Sequence, residues 1–205
     1  MALISNGTSI FDNGSMATGL ASSMVHIKKL TASNSGSLSF VHGSGGVDFS
    51  THKEYLFTFN NIHPATNGSH FSFNLSIDGG SNYNVAKTTT AFRPFHYETA
   101  SDTPELAYQA GSDLAQGTGF QNIAENLGSA NDECSAGHLT LYNPSSTTFT
   151  KHFMSRINLN HSSSSPATVN WYISGYGNTT SDVDAVQFKM TSGNFDGVIS
   201  LYGIA

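Results

Sequence analysis

The sequence predicts an all-β protein, and two features of its pattern support that prediction. Apolar and polar residues alternate over short stretches, most clearly in 71–77, where four apolar residues are separated by Ser and Asn. Clusters of Gly, Asn, Asp and Ser divide such stretches at short intervals. Period-two alternation is typical of strands, and about ten short strands with turns between them are typical of a sandwich or jelly roll. We therefore predict a single antiparallel β-sandwich of jelly-roll type.

The predicted strands follow one another from residue 24 onward. They cover 24–30, 36–41, 53–60, 71–77, 83–95, 137–142, 148–157, 169–176, 185–190 and 197–202, with a turn at 31–35. Because side chains alternate along a strand, one face of 71–77 is expected to be buried and the other polar. The expected buried face consists of Phe71, Phe73, Leu75 and Ile77, and the polar face of Ser72, Asn74 and Ser76.

Residues 1–23 differ from the rest of the chain and predict an extended N-terminal arm, with 24–205 forming the sandwich domain. The arm lacks a periodic apolar face, so it cannot stabilise itself by local folding. Each large apolar side chain gains about 1.5–3 kcal/mol when a partner surface buries it. We expect the arm to dock on a neighbouring subunit or a larger particle through Ile4, Ile10, Phe11 and Leu20.

A long acidic loop excursion is predicted at 98–136. The segment holds seven acidic residues, and four glycines interrupt any regular pattern. Within it, 104–108 is compatible with one short helical turn, because Pro104 stands early in it and proline is tolerated there. Long loops in compact domains are usually functional or disordered.

The charge content is low and excludes one class of partner. Charged residues make up 11% of the chain, against about 25% in an ordinary soluble domain. The net charge is −6 and no basic run occurs, so nucleic-acid binding has no electrostatic support. A surface of Ser, Thr, Asn and Gly suits proteins that stand close together in many copies.

Folding in a reducing cytoplasm, without insertion into a membrane, is the expectation from three further features. Cys134 is the single cysteine, so an intrachain disulfide is excluded. The first residues carry no basic segment followed by an apolar core, so a signal peptide is not expected. No stretch approaches the roughly 18 apolar residues of a membrane-spanning helix.

The sequence offers little support for catalysis, a metal or a cofactor, and we expect none of these. The nine histidines are scattered singly, without the paired spacing of a metal site. Asp132 and Glu133 precede Cys134 and would raise its thiol pKa, which opposes a nucleophilic role. A carboxylate pair for glycoside hydrolysis remains an alternative that we favour less than solvated loop acids. Its candidates are Asp102, Glu105, Asp113, Glu125 and Asp132.

Aromatic residues are the remaining candidates for ligand contact. Exposed rings stack on sugars, and the candidates for glycan contact are Tyr97, Tyr108, Trp171 and Tyr176, with Tyr172 beside them. Core packing of Trp171 and interface packing of the tyrosines is the alternative, and we favour it.

Several stretches together resemble a known group of proteins. They are MALISNGT at 1–8, KEYLFTFNNIHP at 53–64, DGGSNYNV at 78–85, LYNPSSTTF at 141–149 and AVQFKMTSGN at 185–194. The chain resembles virion structural proteins of marine tailed phages, including those that infect cyanobacteria. The resemblance runs nearly end to end, and the group supplies no catalytic residues to transfer. It implies a virion protein that is made in the host cytoplasm.

Three functions follow as expectations. The first is a structural component exposed at the virion surface, as a head decoration, fibre or tail appendage protein. It would assemble with other virion proteins and with itself, a homotrimer being the first guess. The second is a receptor-binding module that recognises host surface glycans. The third, favoured least, is a polysaccharide depolymerase on the same particle.

Overall fold

The computed structural model describes residues 23–99, 102–163 and 166–205 with their side chains. Before them it describes only the backbone of β1 (Leu3–Ser5), β2 (Thr8–Asp12) and β3 (Ser15–Met16), which form a three-stranded antiparallel sheet in that order. Leu20 and the side chains of Ile4, Ile10 and Phe11 lie outside the described residues. Docking of the arm therefore stays a prediction.

The remaining strands confirm the all-β fold, and no helix occurs in the described ranges. Their bounds are β4 (Met24–Ser35), β5 (Leu38–Val41), β6 (Glu54–Pro64), β7 (Ser69–Ser76), β8 (Lys87–Tyr97), β9 (Glu105–Tyr108), β10 (Gln121–Leu127), β11 (Ser135–Tyr142), β12 (Lys151–Asn160), β13 (Ala167–Gly177), β14 (Ala185–Met190) and β15 (Phe195–Ile204). The predicted turn at 31–35 is wrong, because β4 continues through it and pairs with β15, with one register shift between Phe195 and Gly197.

These strands form two antiparallel sheets. Eight strands pair in the order β4-β15-β6-β11-β12-β13-β8-β9, and four pair in the order β10-β7-β14-β5. One cluster of buried apolar residues draws on both sheets. Phenylalanine pairs join the sheets edge to face, with centroids 5.2 Å apart for Phe59 and Phe71 and 4.8 Å apart for Phe73 and Phe153. The two sheets therefore pack face to face on an aromatic core.

Strand β7 agrees with its predicted buried face except at one end. Phe71, Phe73 and Leu75 are fully buried. The predicted burial of Ile77 is wrong, because the strand ends at Ser76 and Ile77 is 44% exposed. The Ser76 hydroxyl accepts the N–H groups of Asp78 and Gly80, which starts the turn one residue before the alternation ends.

The opposite face of β7 is polar, as predicted, but it is buried as well. Ser72, Asn74 and Ser76 have no exposed surface. The Asn74 amide Nδ2 donates to the carbonyl oxygens of Tyr83 and Thr118, at 2.6 and 3.0 Å. The connections that carry those two carbonyls therefore lie over Asn74 on this face of β7.

The acidic segment is more regular than predicted, because it contains β9 and β10. The short helical turn at 104–108 is wrong, because Glu105–Tyr108 pairs with β8 from Phe92 to Phe95. Pairing with an open strand edge outweighs the weak local preference for a turn. Ile123, Ala124 and Leu127 of β10 are fully buried. Two register shifts against β7 break the alternation of β10, which hides this strand in the sequence.

Candidate binding face on the eight-stranded sheet

The outer face of the eight-stranded sheet around β12, β13 and β8 is the strongest candidate site. Strand β12 alternates strictly between buried and exposed residues, so every second side chain projects away from the core. The residues opposite these positions on β13 and β8 project from the same face. We call this surface the outer face. Its residues are Thr88, Thr90, Phe92, His152, Met154, Arg156, Tyr172, Ser174 and Tyr176.

One row of the outer face is aromatic. Arg156 lies opposite Tyr172, Tyr172 opposite Phe92, and Phe92 opposite Tyr108 on the edge strand β9. The Phe92 and Tyr172 rings stack with centroids 4.8 Å apart and planes 2° apart. The Arg156 guanidinium lies 5.3 Å from the Tyr172 ring centroid. We call these four residues the aromatic row. With about 4.8 Å between strands, it spans roughly 14 Å of the face.

The aromatic row is open to solvent. Phe92 is 42% exposed and Tyr108 is 55% exposed. The Tyr108 hydroxyl donates to the Asp113 carboxylate, and this hydrogen bond raises the pKa of Tyr108. Met154, one row away on β12, is 57% exposed. A monomer gains no free energy from exposing these side chains to water, so the outer face suits the binding of a partner or a ligand.

A shallow hollow adjoins the aromatic row. Its volume is about 310 Å³, and Thr88, Thr90, His152, Ser174 and Tyr176 contribute to its lining. The Thr90 and Ser174 hydroxyl oxygens are 2.9 Å apart and hydrogen-bonded. The His152 and Tyr176 ring centroids are 5.9 Å apart. The hollow therefore offers hydroxyls and ring faces, the groups that bind a neutral hydroxylated ligand.

The four tyrosine and tryptophan candidates from the sequence fall in three environments. Tyr108 lies in the aromatic row and Tyr176 lines the hollow. Tyr97 packs against Phe95 at 4.6 Å and lies against the core. Trp171 is 1% exposed and its ring centroid lies 5.3 Å from the Arg93 guanidinium, which agrees with the favoured core packing and not with a glycan contact.

Sequence reasoning missed Phe92, Met154 and Arg156. Each stands at an outward position of its strand, which the alternation of β8 and β12 indicates once the buried register is known. Their meeting in adjacent rows depends on the register of the β12-β13 hairpin and on the pairing of β13 with β8, a distant strand that no local pattern specifies.

Two of the five acidic candidates for hydrolysis have hydrogen-bond partners other than carboxylates. Asp113 accepts from Tyr108, and Glu125 accepts from the Asn122 amide at 2.9 Å. Glu105 lies exposed on β9, and Asp102 and Asp132 lie in connections. Among the described residues, no three His, Cys, Asp or Glu side chains lie close enough together to hold a metal ion. Cys134 is half-buried and has a free thiol.

Comparison with known proteins adds no relative. The chain matches no family model, no curated protein and no solved structure. In the part of the chain that the structure describes, no helix is long and apolar enough to span a membrane.

Proposed function

We propose that this protein is a non-catalytic structural component exposed at the surface of a phage virion, where copies associate through the outer face. The observation that carries the proposal is the exposed aromatic row with Met154 beside it. Arg156 is the one charged residue among the nine that define the face. Buried interface cores are enriched in aromatic residues, Met and Arg and depleted in Lys, Glu and Asp. The composition of the outer face matches that pattern.

The strand order supports a jelly roll, which is a common fold of capsid proteins. The order β4-β15-β6-β11 occurs in one sheet and the order β5-β14-β7-β10 in the other, and the consecutive strands β4 to β7 alternate between the two sheets. We infer from these orders that the eight strands form two interleaved Greek keys. The β8-β9 and β12-β13 hairpins extend one sheet beyond these eight strands, and all nine residues of the outer face lie on β8, β12 and β13. In this proposal the two hairpins are additions to a jelly roll, and they provide its surface for assembly.

The composition and the resemblance to phage virion proteins support the same function. A charged fraction of 11% lets identical copies stand close together without strong mutual repulsion. A homotrimer is the first assembly to test. Each copy in a closed ring presents the outer face to a different surface of its neighbour, which satisfies every copy.

Gold-labelled antibody tests the location directly. An antibody raised against the purified protein should decorate intact phage particles at one site, on the head, a fibre or a tail appendage. Particles from a phage deleted for this gene are the control. If the antibody detects the protein strongly in the host lysate but does not label fully infectious particles, the proposal is overturned.

Binding of a host surface glycan is a second candidate function, favoured by the hollow beside the aromatic row. Thr90 and Ser174 offer hydroxyls there, and Tyr176 and His152 offer ring faces. A glycan array tests this function. Binding that is lost in Tyr176→Ala and kept in Tyr97→Ala, whose ring lies against the core, would support it. An array without signal for the assembled protein would reject it.

A further inference from the structure

Lys87 is a fully buried amine in a position where a cation is poorly solvated. It begins β8 and has no exposed surface. Its Nζ donates to Asn74 Oδ1 at 2.5 Å and to the Val85 carbonyl oxygen at 2.8 Å. Among the described residues no carboxylate forms a salt bridge with it. Burial lowers the pKa of Lys87 to about 7, so much of the amine is neutral and nucleophilic near neutral pH.

Asn74 presents its amide to that amine in a fixed orientation. The side chain is fully buried on β7. Its Oδ1 accepts the N–H of Leu75 at 2.9 Å, in addition to the lysine bond. Its Nδ2 is held by the Tyr83 and Thr118 carbonyl oxygens. The Leu75 N–H therefore points at the oxygen where negative charge develops when a nucleophile attacks Cγ.

We propose that Lys87 and Asn74 react to form an intramolecular isopeptide bond. The Nζ lone pair attacks Asn74 Cγ and forms the Nζ–Cγ bond. The Cγ–Nδ2 bond then breaks, a proton from Nζ passes to Nδ2, and ammonia leaves. Atoms and charge balance in this step, which requires no oxidant and no co-reactant.

The two reacting atoms, Lys87 Nζ and Asn74 Cγ, lie close to each other before the reaction. Cγ lies one carbonyl bond, about 1.23 Å, beyond the Oδ1 atom that Nζ already contacts. We expect rotation about the terminal bonds of the lysine side chain to bring Nζ toward Cγ without a change in the backbone. The burial of both groups excludes bulk water, which would otherwise solvate the amine and compete as a nucleophile.

The bond would join the two sheets covalently. Asn74 lies in the four-stranded sheet and Lys87 in the eight-stranded sheet, 13 residues further along the chain. Neither sheet could then separate from the other at this end without breaking a covalent bond. A lock of this kind suits an all-β protein that has no intrachain disulfide available.

Lys151 provides a matched control. It is also fully buried, but its Nζ donates to the backbone carbonyl oxygens of Ser146, Phe149 and Thr179. Those partners are peptide carbonyls, and no side-chain amide is among them. Lys151 should therefore keep a free amine under conditions in which Lys87 reacts.

The intact mass of the purified full-length protein, measured after denaturation, tests the proposal. The wild type should be lighter than its sequence by one ammonia molecule. The reaction should go faster as the pH rises through about 7, because the neutral amine is the nucleophile. Lys87→Met and Asn74→Ala should each keep the full mass of their sequence, and Lys151→Met should still lose ammonia. Asn74→Asp should lose water instead, because the leaving group is then an oxygen.

Trypsin separates this bond from cyclisation of an asparagine, which also releases ammonia. Trypsin cleaves after Lys87 only when that amine is free, and Arg93 precedes Pro94, which blocks the next site. The crosslinked protein should yield a fragment from 54 to 151, lighter by one ammonia. Wild-type protein that keeps its full mass and a cleavable Lys87 after prolonged folded incubation at alkaline pH would overturn the proposal, whether or not the variants fold.

Discussion

The Phe92 and Tyr172 rings stack face to face across the β8–β13 pair, with planes 2° apart, on the outer face of the sheet. Stacked aromatic pairs contribute about 0.5–1.5 kcal/mol beyond the apolar area that they bury. This pair leaves part of that area open, because Phe92 is 42% exposed. A second copy of the chain that covers the exposed part of Phe92 would gain the free energy of burying that apolar area.

The double substitution Phe92→Ser with Tyr172→Thr should dissociate the oligomer. Both positions are on a strand surface where Ser and Thr are tolerated, so the monomer should stay folded. Multi-angle light scattering should give the monomer mass for the variant and a multiple of it for the wild type. Phe149→Ser is the control, because Phe149 is 67% exposed and lies outside the outer face. A wild type that is monomeric at high concentration would contradict association through this face.

Phe73→Ala should destabilise the fold by about 3–5 kcal/mol, as truncation of a buried phenylalanine does. Phe73 has no exposed surface and meets Phe153 of the facing sheet. Ile77→Ala is the matched control at 44% exposure and should change the free energy of unfolding by much less. Denaturant titration measures both. A loss below about 1 kcal/mol for Phe73→Ala would mean that the two sheets do not share this core.

Asp48 should make the stability depend on acid pH. Hydrogen bonds from Ser50 and Thr51 lower the pKa of Asp48 to about 2. Because the folded pKa lies below the unfolded value of about 3.9, the stabilisation is present above pH 4 and disappears as the pH falls toward 2. Asp48→Ala should therefore be less stable than wild type at pH 7 and equal to it near pH 2. A stability difference that persists at pH 2 would assign the effect to packing of the turn. Asp132→Ala, in an exposed connection, is the control.

Removal of residues 1–20 should separate folding from assembly. The core cluster draws on residues from Ala32 onward, so the melting temperature should change little. If the arm docks on a neighbour, the truncated protein should lose its place in the particle or in the oligomer. Normal assembly of the truncated protein would show that the arm is passive.

Strands whose two faces differ in polarity could be predicted from the sequence. Burial that depends on non-local contacts could not. The alternation of Phe71, Phe73 and Leu75 is visible without a structure. The burial of Asn74 and Lys87 is not visible in the sequence, because it depends on connections that fold over β7. For Lys87 the sequence even suggests exposure, since lysine is almost never fully buried. Ile77 continues the alternation but falls in a turn that hydrogen bonds of Ser76 begin early.

Some residues of the outer face could be singled out from the sequence, but their arrangement on the sheet could not. Tyr108, Tyr172 and Tyr176 stand out as aromatic residues in a polar chain, and Trp171 stands out equally although it is core. The distinction depends on the register, since a shift of one residue moves a side chain to the other face of the sheet. The meeting of Arg156, Tyr172 and Phe92 in one row depends on the pairing of the β12-β13 hairpin with β8, which is distant in sequence.

Quantitative mass spectrometry of density-purified phage particles tests the central claim most directly. Tryptic peptides of the protein, such as the stretch from 157 to 189, should be present in a fixed number of copies per particle. That number should survive a high-salt wash, because the proposed contacts are mainly apolar and weakly charged. A protein abundant in the infected lysate but absent from washed particles would contradict the account.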